Sequence, residues 1–331
     1  MTPPEKQYDV IGIGNAIMDF LVEVDDQKLT QLNLKKGEFH LATAEQAAEL
    51  LSLLSHYRLE TVPGGSVANT IRAIAHLGGH AIFCGKVGHD QHGHHYINEL
   101  EKAGVHSRLS KHPALTGHAL AFITPDAQRT FSVHLGAAVN MAQEDLVEED
   151  IKNSKILHLE GYQLEGPTRE MVLQAITLAK SHDTLVSLDL SDPGVIRRNT
   201  TFLQELIKKY ADIVFVNEEE ARELTGFNAE NAVRELQKLV SIAIVKRGEH
   251  GSFIGHKGTI TRIDSFPATA IDTTGAGDTY AAGFLYGYCR GWTLEKAGRL
   301  GSLMAARIVE QQGVKIERLD GEGLKRLVDE K

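Results

Sequence analysis

The spacing of apolar residues along the chain alternates between the strand period and the helix period. Residues 43–54 carry apolar positions at helical spacing, and Thr43 is a suitable N-cap for that helix. A Gly-rich turn at residues 63–66 precedes the next helical stretch. The elements predicted in the first third are strands at 8–13, 20–24 and 81–87 and helices at 43–54, 67–77 and a stretch ending near 103.

From residue 155 onward, strand and helix patterns alternate regularly. Such alternation predicts a mostly parallel sheet covered by helices. A β-hairpin at 252–264 and two helices at 277–289 and 294–310 complete the pattern. The predicted alternating elements are strands at 155–161, 185–190, 212–217 and 242–248 and helices at 168–180, 201–210 and 230–239.

Two regions depart from this alternation, at about 14–42 and 111–136. The second reads as a hairpin, with strands at 118–124 and 129–135 joined by a turn at 125–128. We predict that both regions form one small β-sheet that acts as a lid over the edge of the large domain. The large α/β domain is then expected at 1–13, 43–110 and 137–331.

Composition narrows the class of protein. The 331 residues are 42% hydrophobic, which is enough for one large domain with a smaller appendage. A net charge of -9 argues against nucleic acid or an anionic membrane as the main partner. Cys84 and Cys289 fit no zinc site or disulfide framework, so a cytoplasmic location is expected. No signal peptide is recognisable, and the apolar runs fall short of the roughly 20 residues that span a bilayer.

Residues 272–278, Asp-Thr-Thr-Gly-Ala-Gly-Asp, lie between a strand-like segment and a long helix. Glycines there let successive backbone N–H groups converge, and the helix N-terminus adds its positive end, so the run predicts an anion-binding cradle. Asp278 in the first helical turn could take a proton from a hydroxyl that attacks phosphorus. The helix dipole is expected to lower the pKa of Asp278. The alternative is an ordinary strand-to-helix turn.

Two other nucleotide-binding motifs are excluded. The P-loop pattern Gly-x4-Gly-Lys-Ser/Thr does not occur in the chain. At residues 12–17, Ile17 stands where the dinucleotide fingerprint requires a third glycine. A dinucleotide oxidoreductase is therefore disfavoured despite the βαβ pattern.

Three motifs together resemble the ribokinase/PfkB family of ATP-dependent sugar and nucleoside kinases. Residues 272–278 match its C-terminal signature, residues 64–69 match its Gly-Gly-x3-Asn signature, and residues 217–220 match Asn-x-x-Glu. The adenosine kinase-like branch is the most similar one, on Gly14-Asn15 with Asp19 and on residues 118–139, 188–191 and 305–309 before Gly313. The resemblance implies a ribokinase-like three-layer α/β fold with a mostly parallel central sheet and a small β-sheet lid.

The resemblance also implies roles on the donor side. Asp278 would be the catalytic base, with Gly275, Ala276 and Gly277 as the anion hole. Asn217 and Glu220 would organise Mg²⁺, Glu220 through water, although an acidic helix start exposed to solvent would give the same sequence. The remaining implied nucleotide-binding residues are Lys246, Gly248, Gly251 and Ile308, with Val309 beside it. For Lys246 the alternative is plain exposure, and for Ile308 a place in the core.

On the acceptor side, Asp19 and Asn69 are the strongest candidates, because a carboxylate and an amide can bind a sugar diol. Gly64 and Gly65 would let the backbone approach the sugar, and Asn15 could join them. The alternatives are a turn aspartate for Asp19 and a polar helix face for Asn69. The lid would contribute Phe122, Phe131, Leu135 and Arg129, with Tyr162 as a further stacking candidate; simple hairpin burial or a solvated turn explains these residues equally well.

Many relatives bind potassium beside the anion hole, and Asp272 and Thr274 are the candidates for such a site here. The histidines at 89, 92, 94 and 95 do not have the spacing of a recognised metal site, and we interpret them as solvated.

The first functional hypothesis is an ATP- and Mg²⁺-dependent kinase for the ribose 5′-hydroxyl of an adenosine-like nucleoside. A kinase for a free sugar such as ribose or fructose is the runner-up, and a non-catalytic nucleoside or sugar sensor is a third reading. The expected partners are ATP and a small-molecule acceptor, without nucleic acid or membrane. The chain could be a monomer or a homodimer joined through the lid.

Overall fold

The computed structural model describes residues 6–36, 39–54, 56–57, 59–126 and 129–329. Within that part the strands form two sheets, one of nine strands and one of five. The strands are β1 Tyr8–Ile13, β2 Ile17–Glu23, β3 Phe39–Leu41, β4 Glu60–Gly64, β5 Ala81–Gly88, β6 His106–His112, β7 Thr116–Ile123, β8 Arg129–Gly136, β9 Ser154–Glu160, β10 Leu185–Asp189, β11 Ile213–Asn217, β12 Ile242–Lys246, β13 Ser252–His256 and β14 Thr259–Ile263.

Helices cover both faces of the large sheet. Thr43 caps its helix as predicted, because it and Gln46 exchange the two hydrogen bonds of a capping box. No helix in the described part of the chain is both long and apolar enough to cross a bilayer. The helices are α1 Asp26–Gln31, α2 Ala44–Leu53, α3 Ser66–His76, α4 Gln91–Lys102, α5 Glu148–Lys152, α6 Arg169–Ser181, α7 Pro193–Tyr210, α8 Glu218–Thr225, α9 Ala229–Leu236, α10 Ala276–Cys289, α11 Leu294–Ile308 and α12 Gly321–Asp329.

The large sheet has the order β14-β13-β12-β11-β10-β9-β1-β5-β6. Its strands from β12 to β6 pair in parallel, and β13 and β14 add an antiparallel hairpin at one edge. One core cluster packs α3, α10 and α11 on one face of this sheet, and a second packs α6, α7 and α9 on the other. The predicted three-layer α/β fold with a mostly parallel central sheet is therefore confirmed.

The small sheet has the order β3-β8-β7-β2-β4. Strands β7 and β8 form the predicted antiparallel pair, while part of their predicted turn, at 127–128, lies outside the described residues. Strand β4 belongs to this sheet, although the sequence had assigned 43–110 to the large domain. Strand β6 runs to His112 in the large sheet, past the predicted lid boundary at 111.

The register of the small sheet decides which side chains share the face of Asp19. Asp19 pairs with Ala119, so alternate residues along the sheet lie on its face and their neighbours lie on the other. Phe131 pairs with Ala121 and lies on the Asp19 face. Phe122 pairs with Val22 and lies on the opposite face. That opposite face packs into the core with residues of α1 and α2, where Phe122 is fully buried, so its predicted contact with the acceptor is wrong.

Candidate active site

Helix α10 begins at the heart of the motif at residues 272–278. Its N-cap, Gly275, has a left-handed backbone with φ of 75°, and a Cβ at this position would collide with the side chain of Val314. Only glycine meets both conditions without strain. The turn therefore places the backbone around Ala276 and Gly277 at the helix N-terminus, where an anion is favoured.

The carboxylate of Asp278 lies between the two predicted halves of the site. Its Oδ1 accepts a hydrogen bond from Ser66 Oγ at 2.7 Å, and its Oδ2 accepts one from Asn69 Nδ2 at 2.9 Å. Burial raises the pKa of Asp278 to about 6, even though both hydrogen bonds act to lower it. The expectation that the helix dipole would dominate and lower this pKa is therefore wrong, and the carboxylate is a better base than predicted.

Ser66 was not predicted as a site residue, although it lies within the Gly-Gly-x3-Asn motif. We expect Ser66→Ala to raise the pKa of Asp278, because the lost hydrogen bond stabilised the ionised form. Since a general base must be ionised to accept a proton, the acidic limb of the pH–kcat/KM profile should move to higher pH if Asp278 has that predicted role. Activity at pH 6 should then fall more than activity at pH 8. An unmoved limb would show that another group controls it.

Lys246 lies in an acidic cluster with the carboxylates of Asp189, Glu220 and Asp278. It lies at the end of β12, and its Nζ donates a hydrogen bond to Asp189 Oδ2 at 2.6 Å. Burial alone would lower the pKa of Lys246, but the surrounding carboxylates raise it above its ordinary value. A Cβ on Gly277 would lie 3.0 Å from Lys246 Nζ, so the ammonium group reaches the predicted anion hole. The alternative of an exposed Lys246 is excluded.

Asn217 and Glu220 form a capping box at the start of α8. Asn217 Oδ1 accepts from the Glu220 backbone N–H at 2.8 Å, and the Glu220 carboxylate accepts from the backbone and side-chain N–H groups of Asn217. The Glu220 side chain is buried rather than solvated, and burial raises its pKa to about 7. Both residues line the same cavity as Lys246 and Asp278.

This cavity has a volume of about 880 Å³ and extends from Asp278 to Gly251 and Ser265, which lie just before and just after the hairpin β13–β14. Gly248 and Gly251, the glycines of the predicted nucleotide turn, line this cavity, and so does Tyr162. Val309 lines the cavity, whereas Ile308 is fully buried in the core cluster. Ile308 therefore does not line this cavity, because Ala305 of α11 and Val309, the C-cap of that helix, face it instead.

A buried glutamate that the sequence analysis missed organises the opposite side of the site. Glu160, at the end of β9, accepts hydrogen bonds from the backbone and side chain of Asn15 through Oε1 and from Val67 N through Oε2. Burial raises the pKa of Glu160 to about 7 despite these donors. An acidic residue at the end of an apolar strand was the available signal. Glu160 ties Asn15 to the start of α3, next to Ser66 and Asn69.

Gly64 and Gly65 allow the two acceptor-side segments to touch. A Cβ on Gly64 would overlap the Asp19 carboxylate, and a Cβ on Gly65, whose φ is 99°, would overlap the carbonyl oxygen of Asn15. The two glycines therefore allow the backbone at residues 64–65 to pack closely against Asp19 and Asn15. Asn69 is buried and its Oδ1 has no hydrogen-bond partner within the described structure, so this acceptor atom is available to a ligand hydroxyl.

Asp272 joins two loops beside the anion hole. Its Oδ1 accepts from Thr274 N at 2.9 Å and its Oδ2 from Gly313 N at 2.6 Å, so the predicted potassium candidates lie together. The four histidines near residue 90 are exposed on or next to α4, as interpreted from the sequence. Across the described ranges, no three His, Cys, Asp or Glu side chains converge on a metal site. Arg129 is the first residue of β8, and its side chain lies outside the described part of the structure.

A helix N-terminus suited to an anion, a partly buried carboxylate with a raised pKa and an adjacent large cavity fit a phosphotransferase that acts on a small-molecule hydroxyl group. The chain belongs to the pfkB family of carbohydrate kinases, whose family profile matches residues 41–319. Membership in this family implies ATP as the phosphoryl donor, typically with Mg²⁺. The predicted family and enzyme class are thereby confirmed.

The proteins to which this chain is similar include kinases for two classes of acceptor, sugars and nucleosides. A 5-dehydro-2-deoxygluconokinase from Clostridium perfringens is 30% identical, over 92% of this chain and 88% of that protein. A probable fructokinase-5 from Arabidopsis thaliana is 32% identical, over 73% of this chain and 79% of that protein. The solved adenosine kinase from Sinorhizobium meliloti is 32% identical with a TM-score of 0.87, over 98% of this chain and 99% of that one. The chain is thus a sugar or nucleoside kinase of this family.

Proposed function

We propose that the chain transfers the γ-phosphoryl group of ATP to the ribose 5′-hydroxyl of a nucleoside, with an adenosine-like acceptor preferred. The observation that carries the proposal is the character of the small-sheet face that holds Asp19. Beside this carboxylate lie the partly exposed apolar residues Ile17, Phe131 and Leu135. A nucleoside matches such a wall, because its ribose diol is polar and its base presents a large flat surface.

The diol would be held by Asp19 and by Asn69, with Asn15 nearby. Asn69 has an unused acceptor atom, and Glu160 fixes Asn15 from behind. A site built to hydrogen-bond a hydroxyl rejects analogues that lack it, because its own buried polar groups are then left unpaired. The apolar neighbours would supply contact area for the base, and this fits the high structural similarity to the adenosine kinase from Sinorhizobium meliloti.

The catalytic roles follow from the two hydrogen bonds to Asp278. An acceptor hydroxyl that approaches Asp278 would give up its proton to the carboxylate as it attacks the γ-phosphorus. The backbone N–H groups at residues 275–277 would stabilise the charge on the transferring phosphoryl group, and Lys246, whose ammonium group lies near Gly277, would add a positive charge. The transition state needs such positioning and neutralisation more than a strong base.

The residues present fit a divalent cation that arrives with ATP. Asp189, Glu220 and Asp278 outnumber the single Lys246 within the cluster, and ATP would add further negative charge. Glu220 and Asn217 would hold Mg²⁺ through water, because their mutual hydrogen bonds occupy the direct positions. Mg²⁺ would neutralise charge on the phosphates. Asp272 and Thr274 remain the proposed K⁺ candidates.

The small sheet would act as the lid. It carries Asp19 and the apolar wall, and closure would exclude water that otherwise hydrolyses ATP. The face turned away from Asp19 is already packed against its own helices α1 and α2. This packing favours a lid that closes within one chain over a lid that is shared in a homodimer.

The test is an ADP-release screen of nucleosides and free sugars, with and without K⁺, followed by identification of the phosphorylated hydroxyl. Adenosine-like nucleosides should give the highest kcat/KM, with the phosphate on the 5′-oxygen. A sugar acid or free hexose that outperforms every nucleoside would overturn the acceptor proposal and leave the kinase class intact.

A sugar kinase is the second candidate, and one observation favours it. The curated relatives named above are kinases for free sugars or sugar acids. In that case, the partly exposed Phe131 and Leu135 would cover a small ligand rather than stack on a base. The same screen separates the two candidates.

A further inference from the structure

Two side chains of the large domain hold the backbone at the entrance to the acceptor site. Arg72 of α3 donates from Nη1 to the carbonyl of Pro63 at 2.9 Å, and Tyr96 of α4 donates from its hydroxyl to the carbonyl of Gly64 at 2.8 Å. These are consecutive carbonyl groups at the end of β4, an edge strand of the small sheet. We propose that Arg72 and Tyr96 are positioning residues that set the affinity for the acceptor by fixing this segment.

Burial of Arg72 is difficult to explain by packing alone. The residue is only 6% exposed, and its Nε has no partner in the part of the chain that is described. Its ion pair with Glu317 is long, 3.5 Å, and the Glu317 side chain is 63% exposed. Such a pair contributes little, whereas burying a guanidinium group is costly. The hydrogen bond from Arg72 to the Pro63 carbonyl is charge-assisted and therefore stabilises the buried guanidinium group more than the ion pair does.

Tyr96 is fully buried, with its ring near that of Phe83. Packing would be served equally well by phenylalanine, so the hydroxyl group is the informative part. This hydroxyl group donates a hydrogen bond of normal length, 2.8 Å, to the carbonyl oxygen of Gly64. A Tyr96→Phe variant therefore removes one contact to the Gly64 carbonyl and leaves the core filled.

The held segment connects the two functions of the site. Gly64 lies directly against the Asp19 carboxylate, and Gly65 lies against the Asn15 carbonyl. Immediately after them, Ser66 and Asn69 donate to the base Asp278. A small shift of Gly64 would move the acceptor-binding groups relative to the base, and misplacement on this scale is costly in catalysis. The cavity of about 880 Å³, where ATP is expected to bind, is by contrast lined by neither Arg72 nor Tyr96.

The inference rests on the proposed acceptor site, so the test uses the best acceptor from the screen, whether nucleoside or sugar. For Tyr96→Phe and Arg72→Lys we expect the KM for the acceptor to rise about tenfold, since one net hydrogen bond corresponds to that factor. The KM for ATP should change less than twofold. Equal KM values for the acceptor in parent and variants would overturn the inference.

Arg290→Lys is the matched control. Arg290 binds Asp9 at the far end of the large sheet, so this variant should lower the melting temperature without changing the acceptor KM. Hydrogen exchange gives a readout that needs no turnover: amides at residues 60–69 should exchange faster in Tyr96→Phe than in parent and in Arg290→Lys. Unchanged exchange there would contradict the positioning role even if no acceptor were found, while failure of the screen alone would count only against the proposed function.

Discussion

Asp278→Asn is expected to reduce kcat by about 10³-fold, the range that a positioned general base contributes. Asparagine has the same shape but cannot take the proton of the attacking hydroxyl. It can keep one of the two contacts that Ser66 and Asn69 make with Asp278, so the fold and the binding of ATP should survive. Steady-state kinetics and ATP titration by calorimetry would measure both quantities on the same preparation.

Stability gives an independent check on this variant. The pKa of Asp278 is raised to about 6 in the folded protein, so the ionised carboxylate opposes folding at higher pH. Between the pKa of Asp278 in the unfolded state and its pKa in the folded state, the folded state binds more protons. The free energy of unfolding therefore falls as pH rises through about 6. Asp278→Asn should therefore melt no lower than the parent at pH 8. Asp264→Asn, at an exposed carboxylate, is the control and should keep full activity. A destabilised Asp278→Asn or an active one would contradict the assignment.

Lys246→Met is expected to have the second largest effect. The variant leaves Asp189 buried without its ion-pair partner, and breaking such a pair costs about 3 kcal/mol of unfolding free energy. It also removes the cation beside Gly277 in the proposed anion hole, so kcat/KM for ATP should fall about 10²-fold. Urea denaturation and initial-rate kinetics measure the two effects separately.

A double variant separates structure from catalysis. Lys246→Met with Asp189→Asn removes both charges of the pair, so most of the lost stability should return. The kinase rate should stay low, because the phosphate still lacks its cation. Lys180→Met, at a surface ion pair with Asp212, should be nearly silent in both assays. Recovery of the rate in the double variant would show that Lys246 acts only through the fold.

The structural features that depend on local sequence were predictable. The motif at 272–278 placed Asp278 at the start of α10, and strand–helix alternation gave the parallel sheet, because both signals depend on near neighbours in the chain. The same holds for Thr43, whose capping box is complete within four residues. Local chemistry therefore sufficed for the fold class and for the position of the motif at 272–278 at the start of α10.

Orientation was not predictable where an element is buried all round. Strand β7 is buried on both faces, so its pattern could not show that Phe122 points away from Asp19. Helix α11 is likewise mostly buried, and its pattern could not distinguish Ile308 from Val309. Strand β4 was missed because Pro63 and Gly64, which end it, are poor strand formers, yet it pairs with β2 as an edge strand.

Electrostatic properties depended on contacts distant in sequence. Ser66 and Asn69 reach Asp278 across more than 200 positions, and the burial that raises its pKa comes from the assembled domain. Glu160 needed Asn15 and Val67 to be recognisable as part of the site. A single sequence does not contain such information in any local pattern.

The most direct test of the account follows the fate of the γ-phosphoryl group by phosphorus NMR, with Mg-ATP and the best acceptor from the screen. The account predicts one acceptor phosphomonoester for each ADP formed by the parent, and neither product at a measurable rate with Asp278→Asn. Release of ADP with inorganic phosphate alone, or equal ester formation by both proteins, would contradict it.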